Sequence, residues 1–140
     1  MRYYEAAVIS ATPESVWAVL VDGATWPSWD SGVDAVEGTI ASGEKITIRS
    51  AAAPGRAFPV TVSTFDPPRG LRFSGGMPLG LFRGVRTYTL SRSDGRSTQF
   101  QMREEDTGPL VPLIWRSMPD LGPPFTKFAG GLKQRVEAGP

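Results

Sequence analysis

The sequence predicts an α+β protein in which a curved, seven-stranded antiparallel sheet wraps around one long C-terminal helix, with two short helices after the first strand. Three observations carry this expectation. Seven short runs with strand-like composition are punctuated by Gly-, Pro- and Asp-containing turns, which joins neighbours as hairpins rather than as βαβ units. Only one long helical pattern follows them. One helix covers seven strands only if the sheet curls around it, and curling leaves a concave space to be filled by side chains or by a ligand.

The first strand is Tyr4–Ser10. Thr12-Pro13-Glu14-Ser15 then opens a helix, with Thr12 as its cap and Pro13 at the first helical position, where a missing N–H costs nothing. Val16, Trp17 and Leu20 follow at helical spacing, and Asp22-Gly23 stops the run. Trp26-Pro27-Ser28-Trp29-Asp30 forms a second short element with both Trp on one face of a turn. The remaining strands are Val33–Ile40, Lys45–Ser50, Phe58–Phe65, Gly70–Gly75, Arg83–Arg92 and Thr98–Glu105. Leu110–Met118 is apolar and bounded by Pro109 and Pro119. From Asp120 the terminal helix sets Leu121, Phe125, Phe128, Leu132 and Val136 in one apolar stripe, with Pro123 and Pro124 in its first turn. Gly130-Gly131 interrupts good helix formers, so either the helix packs closely on the sheet there or it leaves room for a ligand.

Alternation sorts the strand faces. Ile46 and Ile48 share one face, as do Leu71 and Phe73, and Phe58, Val60 and Val62. A turn centred on Gly95 pairs Leu90 with Phe100, Tyr88 with Met102 and Arg86 with Glu104. An Arg and a Glu thus enter an otherwise apolar inner face. They are either a self-neutralising ion pair or the polar anchor of a pocket, with Arg86 holding a carboxylate, phenolate or carbonyl oxygen and Glu104 orienting it or moving a proton. Of the acidic trio Glu104-Glu105-Asp106, Glu104 alone is assigned to the inner face and the other two to a solvated strand end. Gly75–Phe82 is either a plain hairpin connection or a mobile lid over the cavity mouth.

Composition narrows the chemistry. The 140 residues suit a single domain spanning 1–140, and 40% hydrophobic residues supply a core. There is no Cys and no His, which excludes thiolate or imidazole metal sites, Cys nucleophiles, His-based triads and His switches. No metal and no cofactor is expected. A net charge of +1, without basic blocks, gives no field for nucleic acid or an anionic membrane. No run is long enough to span a bilayer, and the N-terminus lacks a signal-peptide pattern, so a cytoplasmic location is expected.

Ile9-x-Ala11-x-Pro13-Glu14-x-Val16-Trp17, then Asp22, Trp26-Pro27-x-Trp29, the late Gly108-Pro109-Leu110 turn and the long terminal helix resemble the START-like helix-grip superfamily (SRPBCC), which includes polyketide cyclase/dehydrase and lipid-transport proteins. The resemblance covers essentially the whole chain and implies a helix-grip fold around a hydrophobic cavity. It implies a small hydrophobic ligand, and a catalytic role only in some members; it transfers no catalytic set. The inward faces then nominate Trp29, Phe73, Met77, Phe82, Tyr88 and Phe100 as cavity wall. Met102, Trp115, Met118, Phe125 and Phe128 complete it. Trp17 and Trp26 are assigned to the core. Three functions stay open. One is binding of an aromatic, polyketide- or lipid-like molecule. The second is a cyclase or dehydrase in which Glu104 moves the proton and Arg86 or Tyr88 steadies an enolate oxygen. The third is a protein-interaction module whose cavity is filled.

Overall fold

In the computed structural model, the structure describes residues 2–51, 53–116 and 122–139, with the side chains of Arg2, Tyr3 and Trp115 outside that description. Seven strands form one antiparallel sheet in the order β1-β7-β6-β5-β4-β3-β2, where β1 is Arg2–Ile9, β2 Val33–Glu37, β3 Lys45–Ser50, β4 Phe58–Asp66, β5 Gly70–Met77, β6 Phe82–Asp94 and β7 Ser97–Thr107. Every sequence-adjacent pair from β2 to β7 is a hairpin, and β1 closes onto β7. This is the helix-grip architecture.

Local chemistry explains the elements. Helix α1 (Pro13–Leu20) starts where the Ser15 amide donates to Thr12 Oγ1 at 3.3 Å, with Pro at the first position. A 3-10 helix, Gly23–Ser28, follows, and its Trp26 indole N–H donates to the Leu20 carbonyl at 3.1 Å. The expected β6–β7 register is present, with Arg86 opposite Glu104, Tyr88 opposite Met102 and Leu90 opposite Phe100. Strand β2 stops at Glu37, short of the expected Ile40, because the chain turns at Gly38 with φ +100°. Strands β5 and β6 extend further than expected and leave only Pro78–Leu81 between them, the hairpin alternative for that segment.

Helix α2 (Val111–Trp115) is shorter than the expected Leu110–Met118, whose last residues lie outside the described ones. Helix α3 (Gly122–Glu137) lies across the sheet, with Phe125, Phe128, Ala129 and Leu132 buried; Leu121 of the expected stripe lies outside the described residues. Its C-terminal half is tied to β1, as Lys133 Nζ donates to the Val8 carbonyl at 2.9 Å and the Ser10 amide donates to Glu137 at 2.8 Å. Gly131 is a close-approach glycine, but its partner is the loop after the 3-10 helix rather than the sheet. A Cβ on Gly131 would stand 2.0 Å from the Asp30 carbonyl oxygen. Lys127 pairs with the Asp30 carboxylate one turn earlier, so Asp30–Gly32 is fastened against α3.

The core is continuous from Ile9, Val16 and Leu20 through Leu71, Leu90, Phe100 and Leu132. Trp26 is its hub, 4.9 Å edge-on from Phe128. Trp17, as expected, joins this core and meets Phe65 at 5.3 Å. Among the described residues no helix is long and apolar enough to cross a membrane.

Candidate functional site

The inner face of the sheet is made of rows set by strand alternation, and each row passes from packed core into open space. On β6 the row is Leu90, Tyr88, Arg86, Gly84 and Phe82; on β7 it is Phe100, Met102, Glu104 and Asp106. Leu90, Tyr88, Phe100 and Met102 are buried, and beyond Tyr88 and Phe100 the rows border open space. The gap is a cavity of about 380 Å³. Its sheet wall includes Ile48, Phe58, Val60, Phe73, Phe82 and Met102. Pro124, Phe125 and Phe128 of α3 form its roof, with Ile114 of α2 beside them. Ser31, Gly32 and Val33 close one side, held by the fastening at Asp30 and by Ser31 Oγ, which donates to the Trp26 carbonyl at 2.7 Å.

The polar end is built by β6 and β7. Arg86 Nε donates to Glu104 Oε1 at 3.0 Å, and both side chains line the cavity. The guanidinium lies 4.9 Å from the Phe125 ring centre, a cation–π contact that fixes its plane against α3. The Tyr88 hydroxyl is its other polar neighbour on β6. Burial pushes the Tyr88 phenol up, so it is neutral at ordinary pH. Glu104 is 8% exposed and Asp106 4%, and the two carboxyls stand side by side at the space left by Gly84. Burial pushes Glu104 up to about 7; Arg86 opposes this, while the neighbouring Asp106 adds to it.

Asp106 therefore belongs to the inner face, contrary to its expected place at a solvated strand end. Residues two apart on a strand point the same way, so the period available in the sequence already placed it beside Glu104. Gly84 makes room for the pair, since a Cβ there would stand 3.0 Å from both Asp106 Oδ1 and Glu104 Oε2. Glycines inside strands signal such approaches, and Gly75 is a second case, its missing Cβ 2.9 Å from the Pro59 carbonyl oxygen.

Of the side chains nominated from the sequence, Phe73, Phe82, Arg86, Met102, Glu104, Phe125 and Phe128 come together around the cavity. Four do not line it. Phe100 and Tyr88 sit deeper, where α3 still touches the sheet; Tyr88 reaches the site only through its hydroxyl beside Arg86. Trp29 packs behind Phe128 at 5.2 Å, and its buried indole N–H has no hydrogen-bond partner among the described residues. Met77 points to solvent at the far end of β5. Trp115 ends α2 with its side chain outside the described residues, as is all of Met118.

A sheet gripping a helix around a hollow with one charged corner is the helix-grip arrangement in its cavity-forming version. The chain belongs to the polyketide cyclase/dehydrase and lipid transport family, which it matches over residues 2–137. Among proteins of curated function, none matches its sequence. Solved structures of similar fold include a Mesorhizobium loti protein, with TM-score 0.74 and 18% identity over 100% of this chain and 99% of that one. The Zhui aromatase/cyclase from Streptomyces sp. R1128 has TM-score 0.74 at 13% identity, over 98% of this chain and 93% of that one. The norcoclaurine synthase of Thalictrum flavum, solved with dopamine and hydroxybenzaldehyde, has TM-score 0.73 at 14% identity, over 100% of this chain and 88% of that one. At these identities the likeness is one of fold.

Proposed function

We propose that this protein binds a small hydrophobic molecule, aromatic and polyketide- or lipid-like, in the cavity under α3. The observation that carries the reading is the cavity itself. At about 380 Å³ it lies within the range of ligand sites. Its wall is mostly aromatic and aliphatic, with the Arg86–Glu104 ion pair at one end and Ser31, Ser50 and Arg56 as its other polar side chains. That pattern, an apolar enclosure with few orienting groups, is what a pocket for a cyclic hydrophobe requires. The volume weighs against a filled interaction module. The structural neighbours named for aromatic chemistry weigh in the same direction.

Nile red and native mass spectrometry test it. The neutral dye should bind with one molecule per chain and a blue-shifted emission. Val60→Trp, which fills the sheet wall, should abolish that signal without lowering the melting temperature. A native protein that binds neither the dye nor any member of a panel of aromatic polyketides would sink the proposal.

A second reading is catalysis of the cyclase or dehydrase type. It is favoured by Glu104, a carboxyl poised near 7 that lines the cavity and is therefore able to donate or accept a proton under working conditions. Arg86 would steady a developing enolate oxygen, with Tyr88 beside it on β6. Turnover of a β-ketone substrate that survives both Glu104→Gln and Arg86→Met would rule this out.

A further inference from the structure

The polar end carries two carboxyls and one guanidinium, and its charge arithmetic decides which ligand oxygen it accepts. Resting on the reading of the cavity as a ligand site, we propose that it takes neutral oxygen-bearing aromatics, namely phenols, alcohols and ketones, and rejects carboxylates, because two buried carboxyls crowded beside a single guanidinium carry one negative charge between them and so neutralise Arg86.

Glu104 and Asp106 are neighbours on the inner face of β7, nearly out of solvent, and both reach the space that Gly84 vacates on β6. Two carboxylates so placed cannot both ionise in a low-dielectric setting at modest cost. Arg86 compensates one negative charge, held at 3.0 Å from Glu104. A proton on one carboxyl relieves the repulsion that burial would otherwise impose on two like charges. One cation against one negative charge leaves the corner neutral.

The other described groups around it do not change this sum. Tyr88 on β6 is an uncharged phenol, and α3 contributes the Phe125 ring. Arg56, the other cation among the described cavity residues, is solvent-exposed and therefore screened. A ligand carboxylate would bring an uncompensated negative charge into the cavity. A phenol or ketone gains hydrogen bonds there with no charge to balance. Of the three oxygens Arg86 could hold, the neutral carbonyl is the one that fits.

Calorimetry with 2-naphthol and 2-naphthoate at pH 6, below the value of about 7 at which Glu104 loses its proton, tests this, because the two share one ring system and differ in charge. Wild type should bind the naphthol at least about 30-fold more tightly. Glu104→Gln/Asp106→Asn removes the pair's negative charge, leaves Arg86 positive, and should erase or invert the preference. Equal binding of both compounds by wild type, or an unchanged preference in a folded double variant, would overturn the inference while leaving the ligand-binding reading intact. If neither compound binds and Nile red also fails, the binding reading itself falls, and this inference with it. If Nile red binds alone, or the double variant does not fold, carbon-13 NMR of the wild-type carboxyls decides. One protonated carboxyl in the pair at pH 6 supports the inference. Two independent, fully ionised carboxylates overturn it.

Discussion

The two ends of the grip are made by the same strands and the same alternation, yet one is solid and the other hollow. At the closed end, Phe100 and Leu90 on paired strands meet Leu71, Ile9 and Leu132 in a filled core. At the open end, the same rows continue as Met102, Glu104 and Asp106 on β7 and as Arg86, Gly84 and Phe82 on β6. Two features frame the hollow. Gly75 and Gly84 stand on its lining in place of inward side chains, and Pro124 and Phe125 of α3 roof it. A helix-grip protein thus builds a cavity by substitution along a row, with no change of topology. The polar corner sits where the packing ends because a charged group at the solid end would have no room for partners or water.

The largest effect should come from cutting the same chemical group at each end. Phe100→Ala should cost about 3–5 kcal/mol, since its site cannot collapse. Phe82→Ala, half-buried on a wall that already faces empty space, should cost under about 1 kcal/mol. Urea denaturation measures both, and equal losses would break the contrast between solid and hollow ends.

Next in size is Arg86→Met. It strands the carboxyl pair, and breaking a buried pair on one side is costly. With the Arg86 side chain still 30% exposed, about 2–3 kcal/mol is expected, larger above neutral pH than at pH 5. A loss independent of pH would mean that Arg86 acts through packing on Phe125 and not through charge.

A smaller effect is the pH dependence of stability. Glu104 is raised to about 7 in the folded protein from an ordinary value of 4.5, so the native state binds more protons than the unfolded chain between those values. Its contribution to stability is complete below about pH 4.5 and is lost as pH rises through about 7. The melting temperature should fall by several degrees across that window, and Glu104→Gln should flatten the slope. A slope that is unchanged in the variant would assign the dependence to other groups.

The smallest effect concerns the rim of the open end. Leu79 is 96% exposed at the β5–β6 tip and holds φ +62°, a strained value for a side chain with a Cβ. Leu79→Gly should gain up to about 1 kcal/mol and leave ligand affinity unchanged, by denaturation and dye titration. A loss of affinity would show that the tip takes part in binding.

Much of this is legible in the residues. Turn signals at Asp94-Gly95 set the β6–β7 register, and that register alone puts Arg86 across from Glu104. Thr12-Pro13 marks the start of α1, and the spacing of Phe125, Phe128 and Leu132 marks the buried stripe of α3. Asp106 is legible by period and obscured by its acidity, because a run of three acids reads as a solvated end. Gly131 stands out as an anomaly, but its contact, the Asp30 carbonyl, comes from a residue distant in sequence. Trp29 and Phe100 are expected on the cavity because they are large, apolar and inward, and those properties do not distinguish wall from core.

The sequence by itself determined the number and order of the strands, the hairpins that join them, the face each side chain takes and the pairing of Arg86 with Glu104. Those features depend on backbone dihedrals, period and turn chemistry, which act over a few residues. Only the tertiary structure decided where along each row the packing stops and that Glu104 is poised near neutrality. Empty volume and proton affinity depend on what surrounds a group in three dimensions. Here those surroundings are brought together from strands, α3 and the Ser31–Val33 segment, far apart in the chain, and no local pattern encodes them.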